Sequence, residues 1–135
     1  MPPGAGAERR GHAAGPRGWG WSWAPVIAYM GVIFYLSSQS RLPIGPDVSD
    51  TLLHALAYAG LAVVFVNAFC GGLPARVTPL TAVLTWVLAV GYGATDEFHQ
   101  MFVPNRHAAL DDLAADALGA LVGVTLCWAW GKLSA

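Results

Sequence analysis

Four apolar runs, at residues 21–36, 51–69, 79–95 and 113–130, alternate with short stretches rich in turn-forming residues. Each run approaches the roughly 20 residues a helix needs to cross the hydrocarbon core of a bilayer. None carries the charged outer face that a helix of a soluble bundle presents to water. The pattern predicts an all-α fold: an integral membrane bundle of four transmembrane helices, multi-pass in the cell membrane. The separating stretches hold Pro43, Gly45 and Pro46, then Gly71, Gly72 and Pro74, then Pro104 and Asn105. These are residues of turns, with Asn105 suited to a left-handed conformation. Ser49 or Asp50 can cap the second helix.

Residues 1–20 hold Pro, Gly, Ala and three Arg with almost no large apolar side chains. That composition supports no core and predicts a disordered cytoplasmic tail, leaving residues 21–131 as one four-helix domain. Arg9-Arg10 resembles a twin-arginine export signal, but no apolar run follows it at once and no A-x-A cleavage site follows the first run. The pair reads instead as positive charge that retains the N-terminus inside.

Polar positions inside the runs are ordered. At about 100° per residue, Asp50, His54 and Tyr58 fall within roughly 80° of arc on one face of the second helix. Near the end of the third, Asp96, His99 and Gln100 share a face with Tyr92 and Gly93, while Glu97 is expected to point aside. In the fourth, Asp112, Asp116, Gly119 and Gly123 recur at helical spacing. Gly119-x-x-x-Gly123 permits close helix contact, so this face is expected to turn inward and take both acids with it.

Composition sharpens this picture. Hydrophobic residues make up 56% of the chain and charged residues only 11%, against about 25% charged in soluble proteins. Trp19, Trp21 and Trp23 suit an interfacial aromatic belt. Alternate loops share a side, and Arg9, Arg10, Arg17, Arg76 and Lys132 fall on one side, with only Arg41 and Arg106 on the other. By the positive-inside rule both termini are cytoplasmic. Cys70 and Cys127 then lie toward the cytoplasmic end, as expected of reduced thiols. The lipid bilayer is an expected partner; nucleic acid is not.

Five of the eight acidic residues fall within residues 96–116. Ionisable groups massed at the mouth of membrane helices suggest function. One reading is a hydrogen-bonded polar plug that sets helix register. A second is acid–base chemistry by Asp96, Glu97 and His99, the catalytic candidates, with Glu97 or Asp116 as proton donor. A third is a divalent metal, for which His54, His99, Asp96 and Asp112 are the candidate ligands, although no HExxH or paired CxxC is present. Arg106 either neutralises the neighbouring Asp96 and Glu97 or holds a phosphate or carboxylate with its planar fork. Ser37 and Ser38 are expected to bond to helix backbone and not to act as nucleophiles.

Four motifs together resemble the VanZ-like family of small bacterial membrane proteins. They are Phe34-Tyr35-Leu36-Ser37-Ser38-Gln39; Asp50-x-x-x-His54-x-x-x-Tyr58; Asp96-Glu97-x-His99-Gln100-x-Phe102-x-Pro104-x-Arg106; and Asp112-x-x-x-Asp116-x-x-Gly119-x-x-x-Gly123. The chain departs from the usual pattern at Asn105, where Gly is common, and at Asp116, where Asn is common. The resemblance implies association with the cell envelope and, through the member that names the family, resistance to the glycopeptide teicoplanin. The candidate ligand-binding residues are Ser38, Gln39, Asp50, His54, Tyr58, Asp96, Glu97, His99, Gln100, Arg106, Asp112 and Asp116. A lipid-linked cell-wall precursor and a glycopeptide are the candidate ligands. The alternative is an intramembrane acid–base or metal-assisted enzyme acting on a lipid-linked substrate. A proton or ion conduit is a third class, opposed by the apolar cytoplasmic halves of the second and fourth runs.

Overall fold

A computed structural model describes residues 19–41 and 48–135. They form four α-helices and no strand: α1 (Trp19–Ser37), α2 (Asp50–Cys70), α3 (Pro79–Gln100) and α4 (Leu110–Leu133). Residues 1–18 of the predicted N-terminal tail and the centre of the first loop lie outside the described residues, while Trp19 and Gly20, read as the end of that tail, open α1. The helices run past the apolar limits read from sequence. The Asp96–Gln100 segment is the last turn of α3, and Asp111 and Asp112 open α4.

Local chemistry explains the helix ends. The α3 start is capped by the Thr78 hydroxyl, which accepts from the Thr81 N–H at 3.1 Å, and Pro79 fills the first turn, where its missing N–H costs nothing. The α2 end turns through Gly71 at φ 73°, and the Gly72 N–H reaches back to the Asn67 carbonyl at 3.1 Å. This is the left-handed stop a glycine permits. Asn105, at φ 63°, makes the sharp turn between α3 and α4. Ser49 precedes α2 but its side chain makes no capping bond.

The most extensive packing joins α2 to α4, which run parallel. A Cβ added at Gly119 would strike the Ala55 carbonyl oxygen, and one at Gly123 would strike that of Ala59. The four-residue step on one helix thus matches the four-residue step on the other. Helix α1 rests on α2 with the Tyr29 hydroxyl lying over Gly60. Helix α3 covers α2 and α4 and is tied by the Trp86 indole N–H to the Ala117 carbonyl at 2.9 Å.

The interior is divided along its length. One half is apolar, with Val26, Leu61, Phe65, Val66, Ala89, Val124 and Cys127 buried together and Trp23 set edge-on to Phe65 and Phe69. The other half buries Ser37, His54, Asp96, Glu97, Gln100, Asp112 and Asp116. The outer surface is the reverse of a soluble protein's, because Ile27, Val32, Leu56, Val83, Leu121 and Leu126 are all exposed. Helices α2 and α4 are long and apolar enough to cross a membrane.

The glycine contacts predict a contrast. Gly119→Ala forces a methyl against backbone that cannot swing aside and should lower stability by about 1–3 kcal/mol. Gly91→Ala, with nothing within 4 Å of the added Cβ, should leave stability unchanged or raise it through better helix propensity. Thermal unfolding of the two variants in the same detergent checks this.

Candidate functional site

Because α2 and α4 run in register, their polar residues meet in pairs. The Thr51 hydroxyl donates to Asp112 Oδ1 at 2.9 Å, and one turn deeper His54 Nδ1 lies 2.9 Å from Asp116 Oδ1. Asp116 is completely buried and owes its seat to Gly93 on α3, where a Cβ would approach Asp116 Oδ2 to 2.5 Å. The imidazole of His54 stacks parallel to Tyr58, at 6.3 Å between ring centres.

Glu97 corrects the sequence reading. It does not point aside but is buried between α2 and α4, with Oε1 3.8 Å from His54 Nδ1 and Oε2 accepting from the Ala109 N–H at 2.8 Å. The last bond also satisfies a donor at the start of α4, where an anion is favourable. Helix α3 buries two sides: Asp96, Gln100 and His99 meet α1, while Gly93 and Glu97 meet α2 and α4.

On the α1 side, Ser37 donates to Asp96 Oδ1 at 2.6 Å and Gln100 Nε2 donates to Asp96 Oδ2 at 3.4 Å. Ser38 Oγ lies 3.1 Å from His99 Nε2, and the His99 ring rests on Phe34 at 4.4 Å. The two serines also bond to the Phe34 carbonyl, as expected, but they serve equally as ties between helices. Ser37 and Thr51 are absent from the sequence-derived set. For each, the available signal was its place in the helix turn that faces the acid it meets.

Arg106 is the second correction. Its guanidinium pairs not with Asp96 or Glu97 but with Asp50, Nη1 to Oδ2 at 2.5 Å, and its Nε donates to the Gln39 carbonyl at 3.2 Å. One side chain thereby joins the α3–α4 turn to the start of α2 and the end of α1. The Gln39 side chain itself bonds back to the Tyr35 carbonyl at 3.0 Å.

A cavity of about 310 Å³ opens between α1 and α2. Its polar end is formed by Ser37, Asp50, His54, Asp96, Gln100 and Arg106, and its apolar wall by Tyr29, Ile33, Leu36, Leu53 and Leu56. Leu36 and Leu56 are 39% and 61% exposed, so the wall runs out onto the apolar outer surface. Two groups of side chains have metal-ligand spacing, Asp50 with His54 and Asp112, and His54 with Glu97 and Asp116, their ligand atoms lying within 4.8 Å of one another. Of the sequence-derived metal candidates, His54 and Asp112 share the first group. Asp96 and His99 belong to neither group among the described residues.

Ser37→Ala removes the shorter of the two hydrogen bonds to the buried Asp96 carboxylate and should cost about 1–3 kcal/mol. Ser38→Ala, at a part-buried site, should cost less. Comparing the unfolding midpoints of the two variants in detergent checks the order.

Comparison with known proteins finds a family model described as VanZ/LLP1 that matches residues 22–131. No curated protein matches the chain, and no solved structure does. The match spans α1 to α4 and takes in every residue of the two polar clusters, and on that ground the chain belongs to the VanZ/LLP1 family.

Proposed function

We propose that this chain is an envelope membrane protein whose four helices all cross the bilayer with both termini in the cytoplasm. On this reading the cavity between α1 and α2 holds an extracytoplasmic envelope component and, by shielding it, lowers sensitivity to teicoplanin-type glycopeptides. The cavity carries the reading, because it joins an apolar wall continuous with the outer surface to a polar end with Arg106 and His54. An amphipathic ligand such as a lipid-linked cell-wall precursor matches both ends, its chain against Leu36 and Leu56 and its polar group at Arg106.

Exposed apolar side chains on α1 and α3 as well as on α2 and α4 support four spans. In water such surfaces would associate, whereas in lipid they match their solvent. The buried acids are then held as membrane acids are, facing the bundle interior with partners. Orientation rests on the charge of the tails and loops.

Two experiments test the reading. In a Cys70→Ser/Cys127→Ser background, His107→Cys should react with an impermeant maleimide in intact cells and Ser134→Cys should not. The opposite pattern removes the extracytoplasmic site. In a susceptible host, expression should raise the inhibitory concentration of teicoplanin. Ala57→Phe, which fills the cavity, should return it to the vector level at equal protein abundance; full protection by this variant would remove the cavity from the mechanism.

A further inference from the structure

The hydrogen bonds of the buried cluster do not account for all of its atoms. His54 Nδ1 and Asp116 Oδ1 satisfy one another, and Glu97 Oε2 is satisfied by the backbone. Glu97 Oε1 and Asp116 Oδ2, both buried, have no hydrogen-bond partner. Buried polar atoms are nearly always paired, and an unpaired carboxylate oxygen is among the costliest exceptions. Two carboxyl groups and one imidazole are thus buried together with two of their oxygens unmatched.

From this geometry we infer that His54, Glu97 and Asp116 form an intramembrane site for one divalent cation of the zinc type. One imidazole nitrogen and two carboxylate oxygens are a donor set that Zn2+ accepts, and three protein ligands leave a fourth position open. Metal–ligand bonds of about 2.0–2.1 Å in a tetrahedron place ligand atoms roughly 3.3 Å apart. The observed separations from His54 Nδ1, 2.9 Å to Asp116 Oδ1 and 3.8 Å to Glu97 Oε1, bracket that value, and the three ligand atoms all lie within 4.8 Å of one another. A cation there binds His54 through Nδ1 with the ring's one remaining proton on Nε2, releases to solvent any further protons the three side chains carry, and balances the two carboxylates with its two charges.

The neighbouring group of Asp50, His54 and Asp112 is not the site. Asp50 is exposed and already paired with Arg106, and Asp112 Oδ1 already accepts from Thr51. It shares His54 with the inner group, however, and lies nearer the mouth. Gly93 belongs to the device too, since any larger residue there would push Asp116 away from His54. The site shares His54 with the polar end of the cavity between α1 and α2, but Glu97 and Asp116 lie outside that cavity's lining.

The test is calorimetric titration of chelator-treated, detergent-purified full chain, prepared without a polyhistidine tag, with Zn2+ alone. The wild type should bind one ion per chain. Glu97→Gln keeps the shape and removes one ligand charge, and it should weaken binding by at least roughly 100-fold, the most that loss of a merely supporting partner costs. Its metal-free unfolding midpoint, equal to or above the wild type's, establishes that it folds. Asp111→Asn, outside both metal-spaced groups and the cavity lining, should bind as the wild type does. Absence of stoichiometric binding by the wild type overturns the site, and so does unchanged binding by Glu97→Gln. Loss of binding in Asp50→Asn with retention in Glu97→Gln overturns it in favour of the outer group. Because the readout is ion binding, none of these results depends on teicoplanin sensitivity.

Discussion

The close approach of α2 and α4 is the constraint on which the rest of this structure depends. Gly119 and Gly123 let the backbone of one helix lie against the carbonyls of Ala55 and Ala59 on the other. On the four-span reading no hydrophobic force favours association of these apolar helices in lipid, so packing at this distance and the hydrogen bonds it allows must supply it. Once that register is set, Thr51 meets Asp112 and His54 meets Asp116 without further adjustment. The same residues that would be ruinous facing lipid become the bonds that hold the two helices in step.

Helix α3 is where two demands meet. It completes the acid cluster with Glu97 and provides, at Gly93, the gap into which Asp116 fits. Its other buried side gives Asp96, Gln100 and His99 to α1, so that Ser37 and Ser38 find partners. Arg106, just beyond its end, ties the same three helices together from the mouth through Asp50 and the Gln39 carbonyl. The polar half is therefore one connected scaffold, assembled from every helix.

Helical period revealed part of this and concealed part. The stripe of Asp50, His54 and Tyr58 and the face of Asp112, Asp116, Gly119 and Gly123 were legible because each lies on a helix with a single polar side. Glu97 was not legible, because α3 is buried on two sides and periodicity marks one preferred face without naming the neighbour each side meets. Arg106 was misassigned for a related reason. Sequence proximity put it beside Asp96 and Glu97, but the left-handed turn at Asn105 carries the chain across to Asp50. The unpaired oxygens of Glu97 and Asp116 were beyond any sequence reading, since they are defined only by which bonds the packed helices leave unmade.

The lateral opening of the cavity has a kinetic consequence. Leu36 and Leu56 belong both to its wall and to the outer apolar surface, so on the four-span reading a ligand arrives from the plane of the membrane and not from bulk water. A molecule confined to a layer about 30 Å thick is already concentrated and partly oriented before it meets the protein. An intrinsic affinity too weak to register in dilute aqueous solution then suffices for high occupancy, and the relevant abundance is the ligand's surface density in the bilayer.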